Sequence, residues 1–149
     1  MKLTTHFTLE ELTRSNLANQ LGIDNTPPAE ILPRLTFTAE MLERIRMTLG
    51  HAVIVTSGYR CAKLNAAVGS RSTSDHMQGY AADIVSPGFG IARDVARTLA
   101  PLVDSLGIGQ IILEGVKGKE WVHVSSHAPE KAINRILTIS DAGVSVGIA

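Results

Sequence analysis

Helical periodicity fills the first third of this chain, and short β-branched runs crowd its last third. That segregation constrains the fold more than any other feature. Helices followed by strands, rather than the two in alternation, point to an α+β protein with a mainly antiparallel sheet and flanking helices. Thr8, followed three residues later by Glu11, has capping-box spacing, so a helix is expected to begin in TLEELTRSNLANQ, residues 8–20. Gly22 and the DNTPP cluster end it, and Pro27-Pro28 can open a second helix. Ile31, Leu35, Leu42, Ile45 and Leu49 then keep a helical period up to Gly50, a natural stop. AVIVTS (52–57) is short, β-branched and bounded by turn residues, the pattern of a buried strand. CAKLNAAVG (61–69) suggests one or two helical turns, residues 69–79 a loop, and YAADIV (80–85) a strand. After Pro87, Gly88 and Gly90, an amphipathic helix carries Ile91, Val95, Leu99, Leu102 and Leu106. IGQIIL (108–113), WVHVS (121–125) and RILTI (135–139) complete the expected strands, and GVSVGIA (143–149) has no clear assignment.

No internal repeat or low-complexity linker divides the chain, so residues 1–149 are expected to form one domain with a core of its own. A hydrophobic share of 44% against a charged share of 19% excludes a disordered chain. The formal charge sums to +0, which gives no electrostatic reason to expect nucleic acid or an anionic membrane as partner. Cys61 is the single cysteine, so no intrachain disulfide can form, and it reads as a small buried hydrophobe. No run of eighteen apolar residues predicts a membrane span. MKLTTHFTLEEL lacks the apolar stretch of a signal peptide, so synthesis in the cytoplasm is expected. Nothing in the sequence speaks to oligomeric state.

The chemistry gathers around STSDHMQGYAADIV, residues 72–85. A tight turn at Gly79 can bring His76, in the loop, beside Asp83, in the following strand. Imidazole and carboxylate are ordinary zinc ligands, and a catalytic zinc keeps three protein ligands with one position open. His123 is the best candidate for a third, because a strand places it rigidly. Spacing alone leaves a plainer alternative open, a capped loop with a hydrogen-bonded core aspartate.

Three blocks in order, SGYRCAKLNAAVG (57–69), SDHMQGYAADI (74–84) and WVHVS (121–125), resemble the zinc D-alanyl-D-alanine carboxypeptidase and L-alanyl-D-glutamate endopeptidase family, whose members cut peptidoglycan stem peptides. The family pattern S-x-H-x-x-G-x-A-x-D falls on Ser74, His76, Gly79, Ala81 and Asp83, and its W-x-H on Trp121 and His123. HFTLEEL and GIDNTPP also look like the compact, phage-encoded branch. The resemblance implies the hedgehog/DD-peptidase fold and a zinc ion, Zn2+, held by His76, Asp83 and His123. It implies that Arg60 stabilises the oxyanion or a substrate carboxylate, and it offers Ser74 and Trp121 as substrate contacts. The implied function is hydrolysis of peptidoglycan stem peptides by a phage or prophage lytic enzyme, of carboxypeptidase or endopeptidase type, reaching the wall after phage-type release. The alternative is a catalytically silent, zinc-stabilised binding or virion-structural domain of the same fold.

Two glutamates compete for the general base. Glu120 stands three residues before His123, a spacing some family members use, and Glu114 closes the preceding strand. A two-residue hairpin turn at Lys117-Gly118 would pair Glu114 with Trp121, on the same face as His123, and turn Glu120 to the other face. A one-residue slip would reverse this, and the reading leans to Glu114. His6, His51 and His127 match no ligand position and are expected to be ordinary surface or core residues.

Overall fold

The computed structural model describes residues 1–149. The capping box forms as expected: the Glu11 amide donates to Thr8 Oγ1 and the Thr8 amide to Glu11 Oε1, both at 3.2 Å. It starts α1, Leu9–Thr13, which is shorter than the periodicity suggested. Arg14 adopts an extended backbone, and Ser15 caps a separate helix, α2, Asn16–Leu21, by accepting from the Ala18 amide at 3.1 Å. A serine side chain that satisfies a free amide makes a new start as favourable as continuation. Gly22, at φ 67°, ends α2. A 3-10 turn over Ala29–Ile31 leads into α3, Leu32–Leu49, which stops at Gly50, φ 67°.

Then come β1 (Ile54–Ser57), α4 (Ala62–Ala67), α5 (Asp75–Gln78) and β2 (Ala81–Val85). The expected loop over 69–79 therefore contains one helical turn, capped by Ser74 and closed by Gly79 at φ 79°. The single helix expected after Gly90 is two, α6 (Ala92–Leu99) and α7 (Val103–Leu106). A 3-10 turn containing Pro101 separates them, since proline lacks the amide a helix interior needs. Strands β3 (Gln110–Val116), β4 (Lys119–Ser125), β5 (Ile136–Ser140) and β6 (Gly143–Val146) complete the chain, so the unassigned tail contributes a strand.

The fold is α+β, with one six-stranded sheet in the order β1-β2-β4-β3-β5-β6. Neighbours are antiparallel except β3 and β5, which makes the sheet mixed. The segment between β4 and β5 crosses the end of β3 and returns beyond it in β3's own direction. Arg135 pins that crossing, donating to the carbonyls of Ile108 and Gly109 at 2.8 and 3.0 Å and to Asp104 at 2.8 Å.

Strand alternation divides the sheet by task. Ala82, Ile84, Ile111, Leu113, Val122 and Val124 point to one face and join the main hydrophobic core. Leu35, Leu42 and Ile45 of α3 and Val95 and Leu99 of α6 pack in the same cluster. Burying each such side chain contributes roughly 1.5–3 kcal/mol. The intervening residues, Asp83, Ile112, Glu114, Trp121 and His123, face the other way.

Candidate metal centre

Two strands and one helical turn bring the expected ligands together. Asp83 on β2 lies directly opposite His123 on β4. His76 arrives from α5, whose position is set by several contacts. The Ser74 hydroxyl accepts from the His76 amide at 3.2 Å, and buried Thr38 on α3 donates to the Gly79 carbonyl at 2.8 Å. A Cβ at Gly79 would stand 2.9 Å from Ile31 Cγ2, so the turn can sit this close to α3 only as glycine. The other side is walled by residues 57–60, where the Arg60 amide donates to the His76 carbonyl at 3.1 Å. Gly58 presses on α1, because a Cβ there would lie 2.3 Å from the Leu12 carbonyl oxygen.

His76 Nδ1 is 2.7 Å from the Gly58 carbonyl. A carbonyl only accepts, so Nδ1 carries the hydrogen and the neutral ring presents a bare Nε2. That Nε2 is 3.3 Å from Asp83 Oδ1, and His123 Nδ1 is 3.2 Å from the same oxygen. All three donor atoms lie within 4.8 Å of one another. Tetrahedral zinc with ligands at about 2.0–2.1 Å requires donors spaced by about 3.3 Å. Both measured spacings to Asp83 match, so the donor set fits a zinc ion in chemistry and in distance.

The three side chains are buried, and their protonation reflects it. Burial opposes ionisation of Asp83, yet the two imidazoles beside it, His76 and His123, hold its carboxyl well below the usual range. Burial dominates at His76 and lowers its pKa. His123 is raised: burial acts downward, but its hydrogen bond to Asp83 and that carboxylate's charge prevail.

The hairpin resolves the placement of the two glutamates. Lys117 and Gly118 both take positive φ, 50° and 83°, the backbone of a two-residue hairpin turn. The register pairs Glu114 with Trp121 and Ile112 with His123, as expected from that turn. Glu114 thus lies on the metal-cluster face, where burial first and the Asp83 charge second raise its pKa; the Trp121 indole, His123 and Arg60 offset part of this. The Trp121 Nε1–H is close to that carboxylate without completing a hydrogen bond to any protein atom. Glu120 turns to the opposite face and meets Arg93 of α6 at 3.3 Å, so the structure does not bring it into the cluster.

Arg60 is partly buried and close enough to Asp83 and Glu114 for their charges to support its own against the cost of burial. Its Nε has no protein partner. Ser74 serves as the cap of α5, and Trp121 stands beside Glu114. The remaining histidines lie outside the cluster: His6 pairs with Glu43 at 2.7 Å, His51 meets Phe89 edge-on, and His127 stacks on Tyr80.

Sequence reasoning missed Asn25. Its amide nitrogen donates to the carbonyls of Thr13 and Tyr59 at 2.8 and 2.9 Å, and its Oδ1 accepts from the Cys61 amide at 2.8 Å. One side chain thereby ties the segment carrying Arg60 to the end of α1. Its only signal was membership of a turn-forming cluster, Asp24 to Pro28.

A family model described as Peptidase M15 matches residues 5–125, and the chain belongs to that family. The match spans every residue of the metal cluster together with Arg60, Glu114 and Trp121. A search of curated proteins finds no match. Membership implies a peptide substrate. No helix is long and apolar enough to cross a membrane.

Proposed function

We propose that this chain is a zinc-dependent peptidase that hydrolyses peptidoglycan stem peptides, with His76, Asp83 and His123 as the metal ligands. One observation carries the reading: two imidazole nitrogens, from separate segments, each stand at tetrahedral-edge spacing from the same carboxylate oxygen, with all three atoms within 4.8 Å of one another. Glu114 and Arg60 flank them. When bound there, zinc supplies Lewis acidity, polarising a carbonyl and lowering the pKa of water.

The chain's own residues supply the rest. Glu114, made more basic by burial and by Asp83, takes a proton from the attacking water and delivers it to the leaving amine. The Arg60 guanidinium, permanently charged and with its Nε unpartnered, meets the negative charge that develops on the carbonyl oxygen. Gly58 holds His76 in the tautomer that leaves Nε2 free. Trp121 walls the site beside Glu114. The hedgehog/DD-peptidase architecture belongs to this reading and is supported by the α+β fold with its site on one sheet face. So does a lytic role at the wall after phage-type release, for which the support is the likeness to phage-encoded peptidases.

The test is to incubate the zinc-loaded protein with purified peptidoglycan and sequence any new amino termini by mass spectrometry of the muropeptides. Cleavage within the stem peptide is expected, and its position names the bond. Stoichiometric zinc without any new terminus would transfer the chain to the alternative, a silent zinc-stabilised binding or virion-structural domain.

A further inference from the structure

Two of the three segments that meet at the metal cluster carry a histidine each, and one buried hydrogen bond ties those two segments together. Ser125 stands two residues beyond His123 on β4, and Asp75 stands one residue before His76 at the start of α5. The Ser125 hydroxyl donates to Asp75 Oδ2 at 2.7 Å, the one hydrogen bond between α5 and β4. The His127 carbonyl, 3.0 Å away, competes for the same hydrogen, but the carboxylate is nearer and the stronger acceptor. Ser125 is fully buried, and its place is fixed from both sides, opposite Ala81 of β2 and Gln110 of β3. The Gly109 amide adds a hydrogen bond to its carbonyl at 2.7 Å. By contrast α5 is a single turn of four residues, too short to hold a position of its own. The pair that His127 makes with Asp75 Oδ1, at 3.4 Å and largely exposed, adds little to this tie. His76 and His123 make no hydrogen bond to each other; their rings meet edge-on with centroids 5.1 Å apart. The gap between their donor nitrogens is therefore set by how far α5 stands from β4. Metal ligation tolerates only about 0.2 Å in ligand distance, so a small shift of α5 would spoil the donor set.

We infer that Asp75 and Ser125 are a positioning pair, a strut that holds His76 and His123 at metal-binding separation before an ion arrives. The inference rests on the reading of His76, Asp83 and His123 as zinc ligands, and it adds two residues that act on the ion only through those ligands. An acceptor at position 75 and a hydroxyl at position 125 are both required; the charge of Asp75 is not.

The test measures zinc affinity by chelator competition, together with the visible absorption of cobalt(II)-loaded protein, which reports how the ligands are arranged. Wild type is compared with Ser125→Ala, Asp75→Ala, the double alanine variant and Asp75→Asn, each below its own metal-free melting temperature so that only folded chains are compared. Ser125→Ala should weaken zinc by about 10- to 100-fold, the usual cost of losing a partner behind a ligand, and should change the cobalt spectrum. The double variant should lose little more than Asp75→Ala alone, because one hydrogen bond is broken either way. Asparagine keeps an acceptor for the hydroxyl and discards the charge, so Asp75→Asn should recover most of the loss. A purely structural role would lower the metal-free melt and leave the affinity and cobalt spectrum of folded chains unchanged, and that result overturns the strut. Additive losses in the double variant overturn it too, as does an Asp75→Asn variant as weak as Asp75→Ala. A wild-type chain that takes up neither metal defeats the ligand assignment, and the strut falls with it. Wild-type uptake with Ser125→Ala unaffected defeats the strut alone.

Discussion

Replacing Glu114 and Glu120 separately by glutamine sets the two faces of the hairpin against each other. Glutamine is nearly isosteric with glutamate. At Glu114, burial already disfavours the ionised form, so the neutral amide should leave folding and zinc content close to wild type. What it removes is a proton acceptor on the site face. Losing a positioned general base costs about 10²- to 10⁴-fold in rate, or about 2.7–5.4 kcal/mol of barrier. At Glu120 the only visible loss is the ion pair with Arg93, 3.3 Å long between side chains that are 40% and 36% exposed. Such a pair contributes about 0–1 kcal/mol to stability and nothing to the chemistry. The assay is release of amino termini from peptidoglycan by zinc-loaded variants, normalised to zinc measured by atomic spectroscopy. Turnover lost in Glu120→Gln and kept in Glu114→Gln would refute the face assignment, and equal mild losses would mean that neither carboxylate is the base.

Zinc at about 100 times its dissociation constant should stabilise the native protein by about 2.7 kcal/mol, raising Tm by about 5–10 °C for a chain of this size. His76→Ala should abolish that rise, and a melt of the variant that still responds to zinc would remove His76 from the ligand set. Because Asp83 raises the pKa of His123, a proton competes with the metal for Nδ1. Apparent zinc affinity should therefore fall as pH is lowered, by up to about tenfold per unit for each proton displaced, and a chelator competition from about pH 8 to about pH 5 measures it. Affinity independent of pH over that window would contradict the ligand assignment. Gly58→Ala drives a methyl group into the Leu12 carbonyl and displaces the acceptor of His76, so it should cost about 1–3 kcal/mol in thermal unfolding and weaken zinc binding. A neutral melt with unchanged zinc titration would show that this contact is not needed.

Most of what positions the candidate site was legible because it is local. The Thr8–Glu11 cap, the Gly50 stop and the Lys117-Gly118 turn each depend on residues within a few positions of one another. The turn mattered most, since fixing it fixes the register that puts Glu114 opposite Trp121 and separates it from Glu120. The break at Ser15 was hidden because the apolar rhythm of α1 continues into α2, and only the extended backbone at Arg14 reveals it. The single turn of α5 lies among serine, glycine and polar residues, which read as loop until Thr38 and Ile31 hold it against α3. The parallel pairing of β3 with β5 and the strand at 143–146 depend on contacts made after the chain has crossed the sheet. Asn25 holds Tyr59 and Cys61, more than thirty residues away and beyond the reach of any spacing rule.

The alternation along β4 has a consequence for how such a protein can change over time. Val122 and Val124 plug the interior while Trp121 and His123 face the candidate site, so one seven-residue strand carries two independent records interleaved letter by letter. Point changes can rewrite either record without touching the other. Inserting or deleting a single residue there would exchange them wholesale, thrusting the imidazole into oil and the valines toward the candidate metal cluster, so length in this strand should tolerate far less drift than composition.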